Sequence, residues 1–125
     1  MLSSSQATER AADLVARAMR SGADAADAVY SGDSSTDVRI RLGALEDVGR
    51  SEGEEIGLRV FVGSRSASVS SSDLSGDALQ TLAERAVAMA REAPEDPYAS
   101  LAPEDRLMRH APAALDLSDN TEVSP

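Results

Sequence analysis

Apolar and polar residues alternate with strand spacing across residues 38–73. Val38, Ile40 and Leu42 alternate with charged residues, as in a strand that lays one face on a core. Residues 57–62 are apolar on both faces, which is typical of a central strand. Further candidate strands cover residues 24–30, 45–50 and 65–70, and turn-like composition falls at residues 31–35, 43–44, 51–55 and 63–64. The pattern predicts a meander of about four or five antiparallel strands.

Helical spacing replaces this alternation on both sides of the strands. Residues 4–21 repeat apolar side chains at i, i+3, i+4 and i+7, and Ser3 with Gln6 matches a capping box. Gly22 lies just after this helix, at the position where a residue of left-handed backbone conformation commonly ends a helix. Residues 75–92 form the second predicted helix, with Ser75 as its N-cap. The predicted fold class is therefore α+β, an antiparallel sheet packed with one helix before and one after the strands.

The composition changes at residue 94. All five prolines lie at or beyond this point. Residues 94–125 contain seven acidic residues and two arginines and show no sustained hydrophobic period. We expect residues 1–93 to form an α+β N-terminal domain. Residues 94–125 are predicted to be a proline-rich acidic linker that leads to downstream domains.

The composition excludes several kinds of site and several classes of protein. The 125 residues suggest one domain, and the three aromatic residues leave a core of Ala, Val, Leu and Ile. The absence of cysteine excludes disulfides, thiolate zinc sites and a thiol nucleophile, and fits a reducing compartment. Residues 1–10 lack the apolar stretch of a signal peptide, and no segment approaches membrane-spanning length. We expect a cytoplasmic protein without membrane contact.

Charge argues against a nucleic-acid partner. The net charge is −10, with 22 acidic residues and 12 basic ones, all of which are arginine. An acidic surface repels the phosphate backbone, and the arginines of residues 39–65 alternate with acids instead of forming a basic stripe. We therefore expect no direct nucleic-acid binding.

Candidate catalytic groups are sparse. Zinc peptidases need two histidines and a glutamate on one helix, whereas this chain has the single histidine His110. Adjacent acids occur as Glu46–Asp47, Glu54–Glu55 and Glu95–Asp96. Neighbouring side chains on a strand point to opposite faces, so we interpret them as solvated charges. A weak calcium or magnesium contact is the alternative.

Serines and glycines of the block also fit structural roles better than chemical ones. Serines at 64, 66, 68, 70, 71 and 72 lack the Gly-x-Ser-x-Gly elbow, and no glycine-rich phosphate loop precedes a helix. We interpret the serines as a small-residue strand face packed on a helix, and Gly57 and Gly63 as strand-end or close-approach glycines. The chain is predicted to hold no catalytic, cofactor-binding or metal-binding residue.

Two runs of sequence resemble a known family. They are GRSEGEEIGLRVFVGSRSASVSSSDLS (residues 49–75) and AERAVAMAREAPEDPYASLAPED (residues 83–105). They look like the N-terminal domain of the PmbA/TldD family, and the resemblance spans about residues 11–105. Its most specific pieces are IGLRVFVG, SSSDLS and APEDPYASLA. The APEDPY segment, and VFVG followed by SASVSSSD, favour the PmbA (TldE) branch.

The resemblance implies function beyond the residues themselves. The family is described as modulators of DNA gyrase and as peptidases, and its members are several times longer than this chain. A HExxxH-type metal motif lies late in the TldD branch, so zinc or another divalent metal would belong to that subunit. Resemblance to the PmbA branch implies a subunit that lacks those ligands and pairs with TldD. That pair is associated with processing of microcin precursors and with degradation of small unfolded peptides, including an antitoxin.

Three hypotheses follow from the resemblance. The first is a non-catalytic N-terminal domain of a PmbA (TldE)-like subunit in a cytoplasmic metallopeptidase complex, with a TldD-like subunit or a second copy as partner and peptides as substrates. The second is a TldD-like catalytic metallopeptidase with its metal site downstream. The third is an adaptor that binds gyrase or toxin–antitoxin proteins.

Overall fold

A computed structural model describes residues 1–119 and 121. Helix α1 is Ser4–Arg20, strand β1 is Ala25–Arg41, strand β2 is Ala44–Val62, strand β3 is Arg65–Ser71, helix α2 is Gly76–Glu92, and a short 3₁₀ turn covers Glu104–Arg106. The strands form one antiparallel sheet in the order β1-β2-β3. The predicted α+β class, with one helix before and one after the strands, is confirmed.

Two of the predicted turns are wrong. Residues 31–35 and 51–55 continue β1 and β2, so that the sheet has two long strands and the shorter β3 instead of four or five strands. The two turn-like segments lie against each other, since a Cβ built on Gly53 would be 3.1 Å from Oδ1 of Asp33. Each segment therefore has a strand partner that its content of Gly, Ser and acidic residues does not reveal.

The two remaining turns are confirmed as strand reversals. Leu42 and Gly43 both take positive φ, at 51° and 76°, and close the β1–β2 hairpin. Gly63, with φ of 59°, begins the reversal into β3. A backbone of this kind matches the twist of adjoining strands and costs a glycine little.

Both helices begin at the predicted caps. The Ser3 hydroxyl accepts from the Gln6 amide at 3.3 Å, and the Gln6 side chain accepts from the Ser3 amide at 3.0 Å, which completes the capping box. The Ser75 hydroxyl accepts from the Ala78 amide. Gly22 has a φ of 109° directly after α1, as the sequence predicts.

The core lies between the helices and one face of the sheet. It contains Leu14 and Ala18 from α1, Ile56, Leu58 and Val60 from β2, and Leu79, Leu82, Ala83, Ala86, Val87 and Ala90 from α2. Because the alanine side chains of α2 are small, the helix can pack close to the sheet and to α1. Much of the core is therefore aliphatic and small, as the composition predicts.

Two compact units divide the chain. The first contains Met1–Ser35 and Ser51–Leu101, and every buried residue of the described chain lies in it. The second contains Thr36–Arg50 and Ala102–Pro125. We call Thr36–Arg50, the outer part of the β1–β2 hairpin, the ribbon. A domain boundary near residue 94 stays a prediction. No described helix is long and apolar enough to cross a membrane.

Candidate functional site

An open groove lies on the sheet face that the helices leave uncovered. Alternate residues of β2 point to this face, among them Gly57 and Arg59, which pair in register with Ser70 and Ser68 of β3. Val29 of β1 forms another side. The groove has a volume of about 500 Å³ and lies entirely in the first unit. Its surface is mainly apolar, so it can accept apolar side chains from another polypeptide segment.

A bidentate ion pair lies in this groove. Arg59 donates from Nε and Nη2 to the two carboxylate oxygens of Asp27, at 2.9 and 2.6 Å. The hydrogen bond to Asp27 raises the pKa of Arg59, and the guanidinium carbon lies 5.3 Å from the centroid of the Phe61 ring. Both charges are about half exposed, so the pair adds little stability, but it holds Arg59 along the sheet and leaves the groove electrically neutral.

Small side chains make the floor of the groove. A Cβ built on Gly57 would lie 3.4 Å from Cγ1 of Val29, so a larger residue would begin to fill the space. Ser68 and Ser70 border the same floor. The core-facing residues of β3 are instead Ala67 and Val69.

The interpretation of the serines as a helix-packed face is therefore wrong for Ser68 and Ser70, which line the open face. Ser71 pairs in register with the buried Ile56 and lies on the helix-covered side. The period-two pattern of β3 carries the signal that could have found the groove, because Ala67 and Val69 are the apolar positions of that strand.

The predicted carboxylate pairs have separate structural roles. Glu54 accepts from the Tyr30 hydroxyl at 2.7 Å, while its neighbour Glu55 is exposed. Glu46 accepts from Arg41 at 3.0 Å within the ribbon. Glu95 pairs with Arg65, and Asp96 accepts from the Tyr98 amide at 2.9 Å. The first unit thus uses its acids to hold strands and turns in place.

Tyr30 fastens the N-terminus to the sheet. Its hydroxyl donates to Glu54 and accepts from the Leu2 amide at 3.1 Å. The hydrogen bond to Glu54 raises the pKa of Tyr30, because the neutral phenol is the form that can donate. Its ring packs against the core. This is an anchoring contact, and sequence spacing gives no signal for it because the partners are far apart along the chain.

His110 is exposed and lies in the second unit. Within residues 1–119 and 121, no three His, Cys, Asp or Glu side chains come together closely enough to hold a metal ion. Among the described residues, the groove is the feature most suited to binding. It would bind a partner through apolar contacts.

Comparison with known proteins places the chain in a family. Residues 26–90 match the family described as PmbA/TldA metallopeptidase domain 1. The chain belongs to the PmbA/TldD family and represents its first domain.

Two relatives show how much of a family member the chain covers. It is 34% identical over 102 residues to the metalloprotease PmbA of Escherichia coli O157:H7, a match that covers 82% of this chain and 22% of that protein. It also has the fold of a candidate modulator of DNA gyrase from Bacteroides thetaiotaomicron VPI-5482. That crystal structure matches with a TM-score of 0.83 at 21% identity, over 96% of this chain and 27% of the solved chain. The chain thus spans about a quarter of the length of these relatives.

Proposed function

We propose that this chain is the non-catalytic N-terminal domain of a PmbA (TldE)-type subunit, which pairs with a TldD-type subunit in a cytoplasmic metallopeptidase complex acting on small peptides. The match of residues 26–90 to the first domain of a metallopeptidase family carries the proposal. The identity to a PmbA protein and the APEDPY and VFVG–SASVSSSD segments support the PmbA branch.

The groove supports a packing role for the domain. It is apolar, open and neutral, and its Asp27–Arg59 pair presents no net charge to an incoming segment. An apolar side chain that binds there would be removed from water, and so would the groove surface that it covers. This removal of apolar surface from water is the main favourable contribution to association. The metal and the reacting groups would be supplied by the TldD-type subunit.

Co-purification with cleavage tests the proposal. The protein that carries this chain is expressed with a TldD-type subunit from the same genome, captured through a tag, and supplied with a small unfolded peptide whose fragments are measured by mass spectrometry. We expect a stable complex that cleaves the peptide faster than either protein alone. Separate migration of the two proteins together with unchanged cleavage would contradict the proposal.

A matched pair of variants tests the groove. Val29→Asp places a carboxylate at the groove, and Met89→Asp places one on α2, at another exposed apolar position. We expect Val29→Asp to weaken capture of the TldD-type subunit at least about tenfold, because a charge would be buried in the contact. Met89→Asp should leave capture unchanged. Equal effects of the two variants would remove the groove from the proposal.

Two further measurements address the other hypotheses. A stoichiometric divalent metal in the PmbA-type protein purified alone, with peptide cleavage in the absence of any partner, would identify it as the catalytic subunit. Retention of DNA gyrase on the tagged protein after nuclease treatment would support an adaptor, an idea suggested by the description of the Bacteroides relative.

A further inference from the structure

Three alternate residues of β2 form a row on the groove side of the sheet, namely Gly57, Arg59 and Phe61. Side chains alternate along a strand, so these three point away from the core between the helices. Phe61 is 4% exposed and yet does not belong to that core. The row therefore consists of a covered aromatic ring, a planar guanidinium and, at Gly57, a position without a side chain.

The guanidinium of Arg59 is held in place on two sides. Its carbon lies over the Phe61 ring, 5.3 Å from the centroid, so Phe61 occupies one side of Arg59 along the strand. Its edge donates to both carboxylate oxygens of Asp27, which fixes the plane of the group. About half of the Arg59 side chain is still exposed. The open side is the one that borders the space above Gly57.

The backbone does not require a glycine at position 57. Positive φ occurs at Gly22, Gly43 and Gly63 among the described glycines, and Gly57 is not one of them. Glycine inside a strand weakens it, and it often marks a place where a ligand approaches the backbone closely. The first atom that a Cβ built on Gly57 would meet is Cγ1 of Val29 at 3.4 Å, an ordinary contact distance. The space above Gly57 is therefore free for another group.

An aromatic ring suits this space in size and in charge. Neighbouring positions on one face of a strand are roughly 7 Å apart. A ring above Gly57 would therefore lie about as far from Arg59 as Phe61 does. The negative face of a ring complements the positive guanidinium, and arginine stacks readily on such faces. An aliphatic side chain would gain from burial alone.

Two hydroxyl groups border the same space. Ser68 and Ser70 pair in register with Arg59 and Gly57. Within residues 1–119 and 121, neither hydroxyl has a hydrogen-bond partner. They can bond the hydroxyl of a tyrosine or the indole N–H of a tryptophan, the polar groups that aromatic side chains bring into a contact.

We propose that the groove binds one aromatic side chain of a partner polypeptide, which lies above Gly57 and stacks on the side of Arg59 that Phe61 leaves open. Arg59 and Gly57 are then the residues that determine specificity. The partner is the TldD-type subunit, an identification that rests on the proposed function. The preference for a ring is a property of the groove itself.

Charge favours a different polypeptide over a second copy as the source of the ring. Two copies of this chain carry a net charge of −10 each and repel each other. Of the three aromatic residues, Tyr30 packs against the core and Phe61 is covered. Tyr98 is 90% exposed, so a second copy would have to supply this ring.

Two matched ligands test the preference on the 125-residue chain. They are N-acetylphenylalaninamide and its saturated analogue N-acetylcyclohexylalaninamide, titrated to about 20 mM because single-residue ligands bind weakly. The saturated ring has at least as much apolar surface, so burial alone predicts that it binds equally or more tightly. We expect the aromatic ligand to bind at least about threefold more tightly. Nuclear magnetic resonance of the backbone amides should show the largest shifts at Gly57, Arg59 and Ser70. Equal affinities, shifts centred elsewhere or no saturable shift would overturn the proposal.

Three variants separate stacking from folding. Gly57→Val fills the space with a residue that favours strands, so binding should weaken at least about tenfold while the melting temperature stays the same or rises. Arg59→Gln should bring the affinities of the two ligands to about the same value. Arg41→Gln breaks an exposed ion pair with Glu46 outside the groove and should change neither affinity. An aromatic preference that survives Arg59→Gln, or that Arg41→Gln also removes, would contradict the role of Arg59.

The titrations contain no TldD-type subunit, so their failure would leave the capture experiment of the proposed function standing. A ring preference without capture of that subunit would instead retain the groove and remove the proposed partner. Groove amides that shift with protein concentration in the absence of ligand, and that no longer do so in Tyr98→Ala, would assign the groove to a second copy. That result would overturn the assignment to a different polypeptide.

Discussion

The two ends of strand β2 have similar sequence patterns and opposite surroundings. Ile56, Leu58 and Val60 are almost completely buried, whereas Leu45 and Val48 of the ribbon are about half exposed. Both ends are hydrogen-bonded strand. The difference lies in what covers them, because α1 and α2 pack on Ile56, Leu58 and Val60 in the core of the first unit. Alternation thus predicts the strand but not whether its apolar face belongs to a core or to an interface.

Burial determines how much each apolar side chain contributes to the free energy of folding. A buried valine in the first unit contributes about 1.5–3 kcal/mol through removal of its surface from water. A valine of the ribbon contributes much less to folding, because nearly half of its surface stays in water. The stability of the chain should therefore reside in the first unit, while the ribbon keeps its apolar surface available.

The variants Val60→Asp and Val38→Asp should show the largest difference in stability between the first unit and the ribbon. We expect Val60→Asp to cost about 3 kcal/mol or more, because it would bury an unpaired carboxylate where no part of Val60 is exposed. Val38→Asp should cost less than about 0.5 kcal/mol in the isolated monomer. Urea titration followed by circular dichroism measures both. Similar midpoints for the two variants would mean that the ribbon is as closely packed as the core.

Leu14→Ala and Leu45→Ala repeat the test without charge. Leu14 is fully buried against the other helix and the sheet, so its truncation should cost about 2–5 kcal/mol through lost burial and the cavity left behind. Leu45 is more than half exposed, and its truncation should be nearly neutral for folding. Thermal unfolding at a monomeric concentration provides the measurement, and a loss for Leu45→Ala near that for Leu14→Ala would contradict the division.

Ser75→Ala sharpens the comparison within the first unit. It removes the hydroxyl that accepts from the Ala78 amide at the start of α2, and we expect a loss of about 1 kcal/mol. Ser72→Ala, at an exposed neighbouring serine, is the matched control and should have little effect. If both variants unfold at the wild-type midpoint, the cap contributes nothing measurable to the helix.

Sequence reasoning succeeded where the physics is local. The capping box of Ser3, the cap at Ser75 and the reversal at Gly43 each depend on residues close together in the chain. It was wrong at residues 31–35 and 51–55, whose content of Gly, Ser and acidic residues is typical of turns. There, pairing between strands distant in sequence overrides local preference.

The groove shows the same limit. Its residues come from three strands, and the serines of β3 that border it were assigned to the helix-packed face. Which face of a short strand is covered depends on where α2 returns to the sheet, and that is a tertiary property. The Tyr30–Glu54 contact also joins residues from different strands, so neither residue indicates it alone.

Tyr30 offers the smallest and most local test, through the alkaline side of the stability curve. Its pKa in the folded protein is raised above the unfolded value of about 10, so the protonated phenol is favoured by folding. This stabilisation is complete below about pH 10 and is lost as the pH rises through the folded pKa. Melting temperatures between about pH 8 and about pH 11.5 should therefore fall more steeply for the wild type than for Tyr30→Phe, which cannot ionise. Tyr98 is exposed and lies away from Glu54 along the chain, so Tyr98→Phe is the control. Parallel curves for the wild type and Tyr30→Phe would mean that the phenol does not anchor the N-terminus through Glu54.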